Sequence, residues 1–400
     1  MDFGRIELDA DVQAFRDEVC AFYDEHLTED MLEKERREGN GFIPSLHRAM
    51  GERGWVMPSA PVEQGGAGLD PLRAYLVDTE LHRRVGPLLP VLGSNRLVTS
   101  VVRVFGSKEL KARVLPAVAR GEVMMSLGYT EPDAGSDAAA IKTRAVRDGS
   151  EWVITGQKMF TTGAQLCQYS MVTARTDLDA PKHRGITMFL VPLDAEGVEI
   201  RGIATIGGER TNFVFYDGVR VDDLYRLGAV GEGWQLAASG LAVEHGMQEG
   251  TAGLESMGPR ANALGWYGVL GALVDAAVEW AHTPRPDGSM PIDDPRVRDR
   301  LAQAELDREL VSVTPSPFVR VFASDAFIRD ASDLLDMVGP EGVLPRGEKG
   351  ALVGGAFEWI HRFAQGTSIY GGTTDVQRNL IAEQILGLPR HRGALNRDSR

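Results

Sequence analysis

Four hundred residues allow two or three domains at about 150 residues each, and 43% hydrophobic with 25% charged residues is the balance of an ordinary folded chain, which excludes disorder and fibrous repeats. Asp plus Glu outnumber Lys plus Arg by 57 to 43, and the net charge of −14 argues against nucleic-acid or membrane partners. Cys20 and Cys167 have no CxxC or metal-spaced partner, so neither a disulfide framework nor a cysteine zinc site is expected, and the reducing cytoplasm fits.

In chain order, the opening MDFGRIELDADVQAF is acidic where a signal peptide would be basic, so no targeting segment is expected. From Asp11 to about Ala119 apolar residues keep helical spacing, as in Val12, Phe15, Val19 and Phe22. Between about Ser126 and Gly231 the pattern shifts to short β-branched and aromatic runs: Trp152 to Thr155, Ile186 to Val191, Val198 to Ile203 and Phe213 to Val221. With Gly149, Gly156, Asp217 and Gly218 between them, these runs predict a small antiparallel β-domain. Helical periodicity returns after Gly233, with Leu264, Tyr267, Val274 and Val278 on one stripe. The fold class is therefore α+β, divided as helices (1–125), sheet (126–231) and helices (232–400).

Four segments could carry chemistry. LGYTEPDAGSD, Leu127 to Asp137, offers small hydroxyls and close backbone approach, suited to a polar ring or a phosphate, although a plain turn explains it as well. GQKMFTTGA, Gly156 to Ala164, sets an aromatic before two threonines; it could stack on a heteroaromatic cofactor or be a strand with a core Phe. Glu244 shares a helical face with Ala237, Gly240 and Leu241, and burial there would raise its pKa toward that of a general base, while a pairing with His245 is the bland alternative. In GTSIYGGTTDVQRNLIAEQILGLPR, Thr374 and Gln377 have capping-box spacing, and Gly371 and Gly372 precede a helix start whose N–H groups suit an anion or a flavin edge.

Taken together, TEPDAGSD at Thr130, GQKMFTTGA at Gly156, KHRGITMFLVP at Lys182 and IYGGTTDVQRNLIAEQILGLPR at Ile369 make the chain resemble the acyl-CoA dehydrogenase family from about residue 9 to 390. The resemblance implies an N-terminal helical domain, a central β-domain and a C-terminal four-helix domain, with FAD between the last two and often shared across a dimer within a tetramer. It also implies that Thr130 and the backbone around Leu127 and Tyr129 contact the isoalloxazine. Ser136 would lie between the flavin and the CoA chain. Phe160 stands at the family's usual tryptophan position, with Thr162 near N5, and Thr373 and Asp375 lie where the adenine half and the phosphates are held.

The departures from the family pattern set the functional expectation. Most members carry a catalytic Glu after the Tyr of the last motif, but here Tyr370 is followed by Gly371, which leaves a backbone N–H for the thioester oxygen. A minority, resembling the isovaleryl and long-chain types, carries the base at a position that aligns with Glu244, followed by Arg where this chain has His245. HTPRPDGSM stands in for the RxxFG segment, leaving Arg285, and DMVGPEGV puts Asp336 at a Gln position. Most of a helical hairpin is expected to be missing between Leu310 and Phe318.

The expected activity is FAD-dependent α,β-dehydrogenation of an acyl-CoA with a bulky, branched or steroid-like acyl group. Electron-transfer flavoprotein or a similar acceptor would follow, and the chain would form a homotetramer or a heterotetramer with a paralogue. Two alternatives are a flavin oxidase or monooxygenase on the same fold, and a half-catalytic subunit of a heteromeric dehydrogenase.

Overall fold

The computed structural model describes residues 8–85, 88–237, 259–314 and 318–389. Six helices come first: Ala10–His26, Glu29–Glu38, Pro44–Glu52, Pro71–Val85, Pro90–Phe105 and Lys108–Ala119. Their starts follow local chemistry. Thr28 accepts from the Met31 N–H and Ser107 from the Leu110 N–H, while proline opens three others where its missing N–H costs nothing. The apolar spacing read from the sequence becomes a buried face, with Val19, Phe22 and Tyr23 closing on Trp55, and the Phe22 and Trp55 rings meeting edge to face at 4.8 Å.

Eight strands follow: β1 (Met125–Gly128), β2 (Arg144–Asp148), β3 (Glu151–Lys158), β4 (Tyr169–Arg175), β5 (Ile186–Pro192), β6 (Val198–Ala204), β7 (Arg210–Asp222) and β8 (Arg226–Leu227). They form one sheet in the order β6-β7-β3-β2-β4-β5-β8, with β1 added against β4. The sheet is mixed, not purely antiparallel as expected: β1 and β2 both run parallel to β4. The reason is tertiary. β1 has little β character of its own, and is seated by the Pro90–Phe105 helix, where Asn95 Oδ1 accepts the Met125 N–H at 3.0 Å. One continuous apolar core joins the N-terminal helices to the sheet.

The C-terminal part holds helices Pro259–Ala281, Pro295–Val313, Phe318–Val338, Ala356–Ala364 and Thr374–Leu380 around a second core centred on Leu270, Leu273, Phe327 and Leu334. The segment from Leu310 to Phe318, where most of a hairpin is expected to be missing, joins two helices directly. Pro295–Val313 and Phe318–Val338 pack on each other and on Pro259–Ala281. This region is tied to the rest at the β6–β7 turn, where Trp359 Nε1 donates to the Gly207 carbonyl at 2.9 Å, and by the Arg346–Glu33 ion pair at 2.7 Å.

Candidate active site

The two small-residue segments meet where β1 and β3 end. The Met159 N–H donates to the Thr130 carbonyl at 2.9 Å, which lays the Tyr129–Glu131 loop alongside Lys158–Thr162. Leu127 lies in β1 opposite Met171, and Tyr129 and Thr130 are half-buried just beyond it. Among the described residues, the Thr130 N–H and hydroxyl have no hydrogen-bond partner. Ser136 is farther along this loop and exposed.

Phe160 has φ +56, in the left-handed region that a bulky residue occupies only at a cost, and the residue is 54% exposed. The residues after it are firmly held. Thr161 and Asn212 clasp each other: the Thr161 N–H donates to the Asn212 carbonyl at 3.0 Å, and Asn212 Nδ2 donates to the Thr161 carbonyl at 2.9 Å. Thr162 Oγ1 donates to Thr211 Oγ1 at 3.3 Å. A strained, exposed aromatic on a rigid support leaves one ring face open to stacking.

Two residues before Phe160 the chain forms a buried ion pair. Lys158 Nζ lies 2.8 Å from Glu131 Oε1, and the Lys158 side chain is fully buried. Burial pulls the Lys158 ammonium down to about 8, although Glu131 works against the shift. Burial alone would raise the Glu131 carboxyl, but Lys158 and the N–H groups of Lys142 and Thr143 hold it below the usual carboxylate range.

The Tyr370–Thr373 loop is built differently. Arg320, buried in the Phe318–Val338 helix, donates from Nη2 to the Tyr370 carbonyl at 2.6 Å and lies 4.9 Å above the Trp266 ring, which Tyr370 meets edge-on at 6.0 Å. Gly371 has φ +63, a conformation that a Glu side chain would strain. The cap is one residue earlier than the spacing of Thr374 and Gln377 suggests: Thr373 Oγ1 accepts the Val376 N–H at 3.2 Å. Gln377 is instead buried and donates from Nε2 to the Gly371 carbonyl at 3.2 Å. Asp375 is exposed, with Arg378 at 3.3 Å.

Domain models of the acyl-CoA dehydrogenase family match in order along the chain: the N-terminal domain at residues 9–122, the middle domain at 126–218 and the C-terminal domain at 312–386. The chain is 32% identical to acyl-CoA dehydrogenase IpdE1 of Mycobacterium tuberculosis over 408 residues, covering 95% of this chain and 98% of that protein. It is also 32% identical to acyl-CoA dehydrogenase FadE26 of the same organism, covering 85% of this chain and 86% of the relative. The chain belongs to the acyl-CoA dehydrogenase family. Among solved structures, the ChsE4-ChsE5 complex from Mycobacterium tuberculosis contains a chain that superposes with a TM-score of 0.81 at 29% identity, covering 97% of this chain and all of that one. A protein described as the Tcur3481-Tcur3483 steroid ACAD gives the same TM-score and identity, over 98% of this chain and all of that one.

In this acyl-CoA dehydrogenase most of the residues singled out from sequence fall into two groups. Leu127, Tyr129, Thr130, Phe160 and Thr162 come together at the β1–β3 ends, and Tyr370, Gly371 and Thr373 share the second loop. Arg285 and Asp336 join neither group: the Arg285 N–H donates to the Ser289 carbonyl in an exposed turn, and Asp336 pairs with Arg300 at 2.7 Å. Glu244 and His245 lie outside the described residues.

Glu131, Lys158, Asn212 and Arg320 support the site without standing out in the sequence. Lys158 had a signal, since it continues the period-two row Trp152, Ile154 that faces the core, where a lysine needs a partner. The residues present fit a flavin. Beside the unpartnered Thr130 groups and the bare Phe160 face, Thr161 Oγ1 and Gln377 Oε1 are buried with no partner among the described residues.

Proposed function

We propose that the protein is an FAD-dependent acyl-CoA dehydrogenase acting on a bulky, branched or steroid-like acyl thioester. The observation that carries this reading is the bare, strained Phe160 platform beside the unpartnered Thr130 groups, in a chain of this family. FAD, when bound, supplies the two-electron acceptor for the hydrogen that leaves the β-carbon. Tyr129, Thr130, Phe160 and Thr162 orient the ring, with Leu127 behind them. Ser136 faces the substrate side, and Thr373 and Asp375 serve the adenine and phosphate half. Arg285 and Asp336 are proposed to reach the cofactor of a neighbouring subunit, as their exposure allows.

Glu244 takes the α-proton on its carboxylate. The Gly371 N–H donates to the thioester oxygen as it gains negative charge, while Tyr370 and His245 line the substrate. Gly371 leaves open the volume that a Glu side chain would fill, which favours a large acyl group. The relative described as a steroid ACAD supports the same direction.

The assembly is proposed to be a homotetramer or a heterotetramer with a paralogue, handing electrons to electron-transfer flavoprotein or a similar acceptor. The ChsE4-ChsE5 relative is itself a complex, which supports the half-catalytic variant of this reading. Anaerobic bleaching of bound flavin by a panel of CoA thioesters tests the proposal. Bulky thioesters should bleach with higher kcat/KM than butyryl-CoA, and the reverse order would remove the substrate assignment. Glu244→Gln should keep the flavin and lose bleaching by about 10² to 10⁴ in rate, because the amide cannot accept the α-proton; unchanged bleaching would exclude Glu244 as the base.

A further inference from the structure

Lys158 has three N–H donors and three acceptors: Glu131 Oε1 at 2.8 Å, the Tyr129 carbonyl at 3.3 Å and Thr173 Oγ1 at 3.4 Å. Glu131 in turn accepts the N–H groups of Lys142 and Thr143. One buried pair thus joins the ends of β1 and β3, the middle of β4 and the entry to β2. Apolar pairs of similar volume often replace buried ion pairs without loss of stability, so filling the space does not by itself require two charges; what requires them here is the backbone they hold, the Tyr129 carbonyl and the N–H groups of Lys142 and Thr143. What an apolar pair could not do is hold the Tyr129 carbonyl.

That carbonyl belongs to the peptide whose other end is the Thr130 N–H. In a trans peptide the C=O and N–H point in opposite directions, so fixing the Tyr129 oxygen on Lys158 turns the Thr130 N–H away from the buried pair. The next carbonyl, of Thr130, is fixed by the Met159 N–H, so both peptides flanking Thr130 are set before any ligand arrives.

We propose that Lys158 and Glu131 are positioning residues that preset the Thr130 N–H and hydroxyl as donors for the acceptor edge of the flavin ring. This rests on the flavin reading above. The pair touches neither cofactor nor substrate; it acts through the Tyr129–Thr130 peptide.

The test compares wild type with the double variant Lys158→Met/Glu131→Gln, which removes both charges together and so avoids leaving one buried alone. Three quantities are read: the thermal midpoint, hydrogen exchange of the Met159 amide in the flavin-free protein, and the Kd for FAD by fluorescence titration. The midpoint should stay near wild type. Met159 exchange should accelerate while that of Ile154 in β3 does not, and the Kd for FAD should rise by about ten- to hundredfold, the worth of one charge-assisted hydrogen bond. Single Lys158→Met should lower the midpoint strongly, because Glu131 then stays buried without its cation.

A double variant that binds FAD as wild type does overturns the proposal, whether or not Met159 exchange changes, because the pair is then only structural. Wild type that takes up no FAD from solution overturns the flavin reading itself, and the inference falls with it. The two failures differ in which protein fails.

Discussion

At Phe160 two small energies oppose each other. Holding a non-glycine residue in the left-handed region costs about 1–2 kcal/mol, and burial recovers little of this because the residue is mostly exposed. Phe160→Gly removes the strain but frees the unfolded chain, which costs about 0.5–1 kcal/mol. The variant should therefore be within about 1 kcal/mol of wild type in denaturant unfolding. If the ring is a flavin platform, the same variant should lose FAD affinity and the perturbed visible spectrum of the bound flavin. Wild-type affinity and spectrum in Phe160→Gly would show that the strain serves something else. Much of this site was legible in the sequence, because Thr130, Phe160 and Thr162 are small or aromatic groups in turn-rich segments. Its supports were not, because a buried Lys158, Asn212 or Arg320 is recognisable only from the partner that another part of the chain brings to it.

Among elements, the C-terminal helices carry a charge arrangement that makes their packing depend on pH. Asp307, from Pro295–Val313, and Asp330, from Phe318–Val338, are both buried and share the Arg329 guanidinium, while Tyr267 Oη donates to Asp330 Oδ2 at 3.3 Å. Burial pushes the Asp330 carboxyl up to about 7; Arg329 opposes the shift and Asp307 adds to it. The folded state therefore binds the Asp330 proton more tightly than the unfolded state does. Its contribution is fully present below the ordinary carboxylate range near 4 and is lost as pH rises through about 7, a change of up to about 4 kcal/mol. Asp330→Asn keeps the shape and cannot titrate. Between pH 4.5 and 7.5 the stability of wild type relative to this variant should fall, and a difference that is flat with pH would refute the assignment. The two helical regions were readable from their apolar spacing, though not the bounds of each helix, and β3, β5, β6 and β7 were readable as strands. β1, β2, β4 and β8 were not: β2 buries only Ala145, β4 is buried almost throughout and so lacks alternation, and β1 and β8 are formed by their neighbours.

For the whole molecule the question is what covers the short connection between Pro295–Val313 and Phe318–Val338. The first of these helices buries Val297, Leu301, Ala304 and Val311, which leaves Leu306, Leu310 and Val313 exposed at steps of four and three on another face, with Phe318 exposed just across the connection. Scattered apolar residues on a surface need no explanation, but a helical stripe of three, with Phe318 also exposed across the connection, is a candidate contact surface. Both flanking helices have their inward faces satisfied by the second core, so the stripe is left over on the outside. The stripe would then meet another subunit, of the same chain or of a paralogue, as the proposed assembly requires. Leu306→Glu/Leu310→Glu places two charges on it without touching the buried face, so the fold should survive with unchanged far-ultraviolet circular dichroism. Light scattering should then show a smaller particle than wild type, and flavin content should fall with it if the cofactor site is completed across the interface. An unchanged particle mass in that variant would mean that the stripe lies outside the assembly surface.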